Sequence, residues 1–346
     1  MKSATLPPPG RPLGSGFRTR VTRSAGNAGA ARPFPRNFLS VLDLDVDAWQ
    51  ELLRTAVRLK KERRLGRRAP TAQALSALHV ALLFDKPSLR TRATFEIAVR
   101  ELGGDVIVPT QDAALGSRET AADVARNLER WVACAVIRTF QQARLVEFAQ
   151  AAPKLRVINA LTDEEHPCQA AADLLTLQEQ WGSFEGRTLT FVGDGNNVAT
   201  SLVHAAMLSG LNMRIASPEG YELPAHVVAD AARVAQKGAT LTLFRDPVEA
   251  VRGADAVYTD VWTSMGQEQE TQRRRRIFMP YQVNAALMAH AAPDALFMHC
   301  LPAHRGEEVS DEVMDAPCSV VFEQSENRLH VQKALLLLLL ARNGRG

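Results

Sequence analysis

A five-residue segment carries the clearest chemical signal in this sequence. Ser88-Leu-Arg-Thr-Arg92 follows an apolar run that ends at Phe84, and Ser88 stands at the capping position of a helical pattern. Arginines in the first helical turn oppose the helix dipole by about 0.3–1 kcal/mol each, so they are favourable there only beside an anion. The segment therefore predicts a phosphate site, and the alternative is a basic turn that faces solvent.

Two further segments follow predicted strands and carry polar groups suited to acyl chemistry. Arg138 ends the apolar run 133–137, and His166-Pro-Cys-Gln169 begins a helix. Histidine can polarise a carbonyl group or stabilise an oxyanion, so His166 is a candidate for that role. It is about equally well explained as a helix cap, and Arg138 alone indicates little.

A glycine turn, Gly193-Asp-Gly-Asn-Asn197, stands between a strand and a helix, and Glu219 follows the next strand. This order is typical of dinucleotide sites, but the third glycine is missing and Asn196 and Asn197 place amides where bare backbone is required. Those amides are better suited to the carboxylate of a small zwitterion.

An acid and a thiol follow two later strands. Asp260 could bind an ammonium group, and the arginines at 273–276 are interpreted as a solvated loop, with a mobile loop over a cleft as the alternative. Cys300 lies next to His299, but adjacent strand residues point to opposite faces, so they do not form a catalytic pair. Cys134 and Cys318 are expected in the core, on strands. The cysteines form no CxxC pair, which argues against a zinc or disulfide framework.

Strand and helix patterns alternate along the chain, which is typical of parallel α/β sheets. A helix is predicted from residue 46 with Asp47 as its cap, and a helix near 166–180 connects two α/β units. Predicted strands span 77–84, 106–108, 133–138, 188–192, 212–217, 240–244, 256–259 and 296–299, and predicted helices span 88–102, 121–129, 170–180, 199–209, 225–237 and 328–342. The fold class is α/β, with two doubly wound parallel-sheet domains of similar size and the active site in the crevice between them.

Length and charge exclude several classes. The chain has 346 residues, 46% hydrophobic and 23% charged, and a formal net charge of only +3, which predicts a globular two-domain protein without a nucleic-acid partner. No apolar run reaches the ~18–20 residues of a membrane span. Residues 1–36 hold seven basic residues and no acid, which predicts a disordered basic tail. A transit peptide is the alternative, so the expected location is the cytoplasm or else an organellar matrix.

Together these segments resemble the aspartate and ornithine carbamoyltransferase family over about residues 37–342. Ser88-Leu-Arg-Thr-Arg92 matches its phosphate signature, although residue 89 is Leu where many members carry Thr, and 166–169 matches its His-Pro-x-Gln motif. The segments Asp260 to Gly266 and His299 to Pro302, with Glu326-Asn-Arg328, point to ornithine as the acceptor.

The resemblance implies transfer of a carbamoyl group from carbamoyl phosphate to the δ-amine of L-ornithine, a step of arginine biosynthesis or of a urea-cycle-type pathway, without a cofactor, a metal or a covalent intermediate. It implies a homotrimer, a carbamoyl-phosphate-binding domain over 37–163 completed by a helix in 325–346, and an ornithine-binding domain over 164–324. The implied catalytic residues are Thr91, Arg138, His166 and Cys300. The implied ligands of carbamoyl phosphate are Ser88, Leu89, Arg90, Thr91, Arg92, Arg138, His166, Gln169, Cys300, Leu301 and Arg328, and those of ornithine are Asn197, Asp260, Ser264 and Met265.

Three alternatives remain open at this level. A carbamoyltransferase for N-acetylornithine, putrescine or aspartate would share the phosphate half, and a free α-amino group is what requires an acid such as Asp260. A dinucleotide oxidoreductase rests on Gly193-x-Gly195 alone and predicts nicotinamide binding. A non-catalytic relative is expected to lack a catalytic residue, and none is missing here.

Overall fold

In the computed structural model, the described residues are 34–109, 119–236, 238–263 and 270–341. Within these ranges the chain forms two parallel β-sheets flanked by helices. The predicted disorder of the tail falls almost wholly outside the described residues, and so do Ser264 and Met265.

The first sheet has four parallel strands in the order β2-β1-β3-β4. Its strands are β1 (His79–Phe84), β2 (Asp105–Ile107), β3 (Cys134–Arg138) and β4 (Arg156–Leu161), and its helices are α1 (Val46–Glu62), α2 (Leu89–Glu101), α3 (Ala121–Leu128) and α4 (Gln142–Ala151). The chain leaves β1 toward one side of the sheet and returns on the other, so the topological switch point lies between β1 and β3.

Helix α5 (Pro167–Trp181) leads to the second sheet, whose five parallel strands run in the order β7-β6-β5-β8-β9. The strands are β5 (Thr188–Val192), β6 (Asn212–Ala216), β7 (Leu241–Phe244), β8 (Ala256–Thr259) and β9 (Leu296–His299). The helices are α6 (Asn197–Ser209), α7 (Ala225–Val234), α8 (Pro247–Val251), α9 (Thr271–Phe278), α10 (Ala285–Met288) and α11 (Asp311–Met314). Here the switch point lies between β5 and β8.

The last described helix, α12 (Val321–Leu340), returns to pack against α1, α2 and α5. It is buried along nearly its whole length, including polar residues in its first half, which contact α1, α2, α5 and β9. No helix in the described part of the chain is long and apolar enough to cross a membrane.

Several sequence predictions differ from the structure. Asp45, rather than Asp47, caps α1, because its side chain accepts a hydrogen bond from the Ala48 amide. Helix α4 and strand β4 were not predicted, and α12 begins at residue 321 rather than 328. Cys134 is buried on β3 as expected, but Cys318 is half-buried and lies outside any strand.

Candidate active site

A cavity of about 630 Å³ opens between the carboxyl ends of the two sheets. The loops that follow β1 and β3 form one wall, and the loops that follow β5, β8 and β9 form the other. Both switch points therefore face the cavity, which is where open α/β sheets bind ligands. Glu219 follows β6, away from the switch point, and does not line the cavity.

The start of α2 lies on the first wall. Ser88 caps the helix by accepting a hydrogen bond from the Thr91 amide at 3.3 Å, and Arg90 lines the cavity. Leu89 also lines the cavity, with 81% of its surface exposed. Arg92 lies outside the cavity wall, because its Nε donates to Glu96 Oε1 at 3.0 Å. The structure thus separates the two arginines of the signature.

Three guanidinium groups converge on this wall. Arg138 and Arg328 are buried, Arg90 lies beside them, and Arg328 donates to the Thr91 hydroxyl. Burial, together with Arg328 and Arg90, lowers the pKa of Arg138 to about 10, and burial also lowers the pKa of Arg328. Within the described residues the Nε atoms of Arg138 and Arg328 have no hydrogen-bond partner. Clustered cations with unused donors are suited to an anion of high charge.

His166 is buried at the start of α5 and faces the same arginines. Burial, followed by the charges of Arg328 and Arg138, holds its pKa well below the ordinary value, so the imidazole is neutral at pH 7. Its backbone N–H donates to Ser201 Oγ at 2.9 Å, and its Nδ1 has no partner among the described atoms. A neutral imidazole held in this way can donate a hydrogen bond to a carbonyl oxygen without giving up a full proton.

Gln169 lies behind this wall and does not line the cavity itself. It is buried, and its Nε2 donates to Asp173 Oδ1 at 2.8 Å. Asp173 also receives hydrogen bonds from Gln324 Nε2 at 2.8 Å and from the Tyr258 hydroxyl at 3.1 Å. Burial outweighs these bonds and raises the pKa of Asp173 to about 7.

The opposite wall carries an acid held by two donors. Asp260 accepts hydrogen bonds from Asn196 Nδ2 and from Cys300 Sγ, each at 2.9 Å. Asn197 lines the same wall, where its Nδ2 donates to the carbonyl of Thr162 at 2.6 Å. An acid beside amides at the edge of a cavity is suited to an amino acid's ammonium and carboxylate groups.

Cys300 is a thiol rather than a thiolate. Burial and the neighbouring Asp260 carboxylate raise its pKa well above the ordinary value. The His299 Nε2 lies 3.1 Å from Glu308 Oε1 and its Nδ1 accepts the Leu301 amide, so both ring nitrogens are engaged away from the thiol. The same engagement argues against a metal held by Asp260, His299 and Cys300, although their ligand atoms lie within 4.8 Å of one another.

The glycine turn after β5 does not resemble a dinucleotide site in detail. Asn196 Oδ1 accepts the amides of Val198 and Ala199, which occupies the helix N-terminus where a pyrophosphate would bind. A Cβ at Gly195 would lie 2.4 Å from the backbone of Glu222, so this glycine serves close packing of the turn against the next loop.

Sequence reasoning missed several residues at this site. Lys86 lines the cavity, and its Nζ donates to Asp163 Oδ1 at 2.5 Å and lies 4.3 Å from the centre of the Phe140 ring. Its position between a strand and Pro87 was a usable signal, because it adjoins the phosphate segment.

The arginines at 273–276 do not form the solvated loop that was expected. They lie in α9, and Arg274 is only 4% exposed. Its guanidinium group forms an ion pair with Asp194 on the cavity wall and donates to the Trp262 carbonyl. The Cζ atom of Arg274 lies 4.8 Å from the centre of the Tyr221 ring. No local pattern signals this burial, because Asp194 is distant in sequence.

Replacing Arg90 by Ala is expected to raise the KM for the anionic substrate by about 10- to 100-fold, because a charge-assisted hydrogen bond contributes about 1.5–3 kcal/mol. Arg92→Ala is the matched control, from the same helical turn but paired with Glu96, and should change KM less than about twofold. Steady-state kinetics checks both. Equal effects of the two changes would contradict the separation that the structure shows.

Replacing Asp173 by Asn is expected to flatten the dependence of stability on pH. The folded protein holds the Asp173 proton up to pH near 7, whereas the unfolded chain releases it near 3.8, so wild-type stability falls as pH rises between these values. The variant should therefore gain about 3 kcal/mol relative to wild type between pH 4.5 and pH 8. Urea unfolding at both pH values measures this. A gain that is equal at the two pH values would show that Asp173 is already ionised at pH 4.5.

The two parallel sheets and the cationic cleft between their strand ends define a two-domain α/β protein built to bind an anion next to an acid. Two family models match: the aspartate/ornithine carbamoyltransferase carbamoyl-P binding domain over residues 36–179, and the Asp/Orn binding domain over residues 185–339. The chain belongs to the aspartate/ornithine carbamoyltransferase family.

Its similar proteins span nearly the same length. An ornithine carbamoyltransferase from Symbiobacterium thermophilum is 48% identical over 88% of this chain and 98% of its own, and one from Acidothermus cellulolyticus is 49% identical over 90% and 99%. Among solved structures, the ornithine carbamoyltransferase of Pyrococcus furiosus matches with a TM-score of 0.84 and 45% identity, over 88% of this chain and 97% of its own. The mitochondrial enzyme of Coccidioides immitis matches with a TM-score of 0.82 and 35% identity, over 90% and 99%.

Proposed function

We propose that this protein transfers the carbamoyl group of carbamoyl phosphate to the δ-amine of L-ornithine, giving L-citrulline and phosphate. The observation that carries the proposal is the pairing of two walls across one cavity. Arg90, Arg138 and Arg328 converge on one wall, and Asp260 stands on the other. The family relationship and the similarity to ornithine carbamoyltransferases support the same reaction.

The phosphate of the donor is assigned to the start of α2, where Ser88 and Arg90 stand at the N-terminus of the helix. Arg138, neutral His166 and the Thr91 hydroxyl are assigned to the carbamoyl oxygen. Arg328 completes this group, because it already holds Thr91. Gln169 is assigned to the carbamoyl amine, Leu301 to the wall beside it, and Arg92 is left out because it pairs with Glu96.

Ornithine is assigned to the second wall, with its α-ammonium on Asp260 and its carboxylate near Asn197. Ser264 and Met265 stay predicted carboxylate contacts, because they lie outside the described residues. Cys300 bridges the two halves through its bond to Asp260 and lines the side from which the δ-amine approaches. As a protonated thiol it acts by contact and not as a nucleophile.

The reaction follows from this placement. The lone pair of the neutral δ-amine forms a C–N bond to the carbamoyl carbon, and the developing oxyanion is stabilised by Arg138, His166 and Thr91. The C–O bond to phosphate then breaks, its electron pair leaves with the phosphate, and the proton of the attacking amine passes to the leaving phosphate, which departs as a dianion. The negative charge of the leaving dianion neutralises arginines whose positive charges disfavour one another.

The domain assignment is part of the proposal. The first sheet, completed by α12, forms the carbamoyl-phosphate-binding half, because Arg328 reaches Thr91 from α12. The second sheet forms the ornithine-binding half. A homotrimer is also proposed on the family relationship, with Leu89, which lines the cavity and is 81% exposed, as a contact for a neighbouring subunit. Light scattering of the purified protein tests the trimer.

The proposed setting is arginine biosynthesis in the cytoplasm, which the bacterial and archaeal sources of the similar proteins support. An organellar matrix is the second candidate, favoured by the basic composition of residues 1–36 and by the mitochondrial relative. Fusing residues 1–36 to a fluorescent reporter in eukaryotic cells distinguishes the two, since a transit peptide would carry the reporter into an organelle.

The decisive test is citrulline formation from carbamoyl phosphate and L-ornithine, run beside N-acetylornithine, putrescine and aspartate. Turnover restricted to ornithine is expected, because N-acetylornithine lacks the α-ammonium assigned to Asp260, putrescine lacks the carboxylate and aspartate lacks the δ-amine. If another acceptor reacted and ornithine did not, the phosphate half would stand and the assignment of Asp260 would be wrong. Nicotinamide fluorescence with the same protein tests the oxidoreductase alternative, and no binding is expected.

A further inference from the structure

A buried carboxylate that contacts neither wall of the cavity ties three elements together. Asp173 is fully buried on α5 and accepts hydrogen bonds from Gln169 on α5, Gln324 on α12 and Tyr258 on β8. Two of the three donors reach the same atom, Oδ1, each at 2.8 Å. Such a buried acceptor orients the side-chain amides that contact it, because each amide must turn its N–H donors toward the acceptor.

A backbone N–H group sets which way the side-chain amides of this network are turned. The His299 N–H can only donate, and it donates to Gln324 Oε1 at 3.0 Å. Gln324 must therefore turn its Nε2 toward Asp173, which leaves Asp173 Oδ1 as an acceptor on this side. Even a protonated Asp173 keeps this arrangement, because its proton can lie on Oδ2 beside the Tyr258 hydroxyl.

The same logic fixes Gln169. Because Asp173 Oδ1 accepts, Gln169 must present its Nε2 to it, so its Oε1 points away. That Oε1 is buried and has no hydrogen-bond partner within the described part of the chain. An unpaired buried acceptor is costly by about 1–3 kcal/mol unless a ligand donor satisfies it. Gln169 lies one helical turn after His166, which lines the cavity, and stands directly behind that wall.

We propose that Asp173 is a positioning residue for donor specificity: it locks Gln169 as a hydrogen-bond acceptor, and this acceptor selects an acyl phosphate that carries an N–H donor. The inference rests on the proposed function, since it assigns Gln169 to the carbamoyl amine. Acetyl phosphate has nearly the same shape and the same phosphate, but a methyl group replaces the amine. It would leave Gln169 Oε1 unpaired and therefore bind more weakly than carbamoyl phosphate.

The test is binding of three ligands to the full chain without ornithine: carbamoyl phosphate, acetyl phosphate and inorganic phosphate, by calorimetry. Wild type is expected to prefer carbamoyl over acetyl phosphate by about tenfold, the effect of one satisfied buried acceptor. Asp173→Ala and Gln169→Leu should each abolish the preference while phosphate affinity changes less than about twofold. Tyr258→Phe is the control, because it removes a donor to Oδ2 and leaves the Gln169 contact in place.

A purely structural role for Asp173 would weaken all three ligands alike, and that result would overturn the inference. If Asp173→Ala does not fold, the two single variants Gln169→Leu and Asp173→Asn give the same test. The asparagine can keep its oxygen toward the two glutamines and its amine toward the Tyr258 hydroxyl, so it should retain the preference. A Gln169→Leu variant that still preferred carbamoyl phosphate would leave Asp173 nothing to position and would also overturn it.

Failure of the proposed function gives a different result. A wild-type protein that forms no citrulline from carbamoyl phosphate and ornithine contradicts the function itself. A wild type that forms citrulline, with an unchanged preference in Asp173→Ala, contradicts only the positioning role.

Discussion

Replacing Arg138 by Met should lower kcat/KM about a thousandfold and at the same time stabilise the ligand-free protein. Removal of one donor to a developing oxyanion costs about 10²–10³ in kcat, and Arg138 also attracts the substrate dianion. The stabilisation has the opposite origin. Burial, Arg328 and Arg90 all disfavour the charged form of Arg138, which is why its pKa falls to about 10. Removing this cation should raise the free energy of unfolding by about 1–2 kcal/mol.

Citrulline kinetics and urea unfolding of the same preparation measure the two effects together. Arg126→Met is the matched control: Arg126 is largely exposed on α3 and pairs with Asp123, so the change should leave both quantities nearly unaltered. Added phosphate should stabilise wild type more than Arg138→Met, because only wild type retains the complete cluster. A variant that is inactive and also less stable would mean that Arg138 stabilises the fold, which contradicts the prediction that its charge destabilises the fold.

Replacing Asp260 by Asn should raise the KM for ornithine about 100-fold and leave the KM for carbamoyl phosphate nearly unchanged. The variant preserves shape but removes the charge that faces the α-ammonium, and truncating one side of a desolvated charge pair costs about 2–5 kcal/mol. N-acetylornithine, which has no α-ammonium, provides the specificity control, since its relative reactivity should rise when the acid is lost.

The paired experiment is Asp260→Asn against Arg90→Ala, with both KM values measured for each variant. The two changes should act on different substrates, since Arg90 and Asp260 line opposite walls of the cavity. If both variants weakened both substrates to the same degree, the cavity would not be divided into two half-sites. The assignment of the acceptor would then need a different basis.

The parts of the site that the sequence predicts are those encoded locally. Ser88 caps α2, Arg138 ends β3 and Asp260 follows β8, as their patterns indicate. In each case an apolar strand and the next few residues suffice, because parallel strands bring their carboxyl ends to one edge. The resemblance added Arg328, which lies in a polar stretch with no local signal.

Other features depend on contacts between distant segments. Strand β4 contains Asn159, whose burial looks unfavourable until its Nδ2 is seen to bond the Leu39 carbonyl at 2.8 Å. The sequence around Arg274 predicts an exposed side chain, because the ion pair with Asp194 that permits its burial joins segments far apart in the chain. Similarly, the polar residues in the first half of α12 suggest an exposed segment. They are buried in the structure because they contact polar partners such as Asp173. Sequence periodicity detects apolar burial well and buried polar networks poorly.

The position of α12 also bears on when this protein becomes active during its synthesis. Arg328 and Gln324 reach back from residues 321–340 to Thr91 and Asp173, so the ribosome completes every other wall of the site before these contacts can form. Until then α1, α2 and α5 expose the apolar groove that α12 later fills, a surface that chaperones recognise on nascent chains. Translation that stops before residue 321 therefore yields a chain with both sheets encoded, an open groove and no complete anion site.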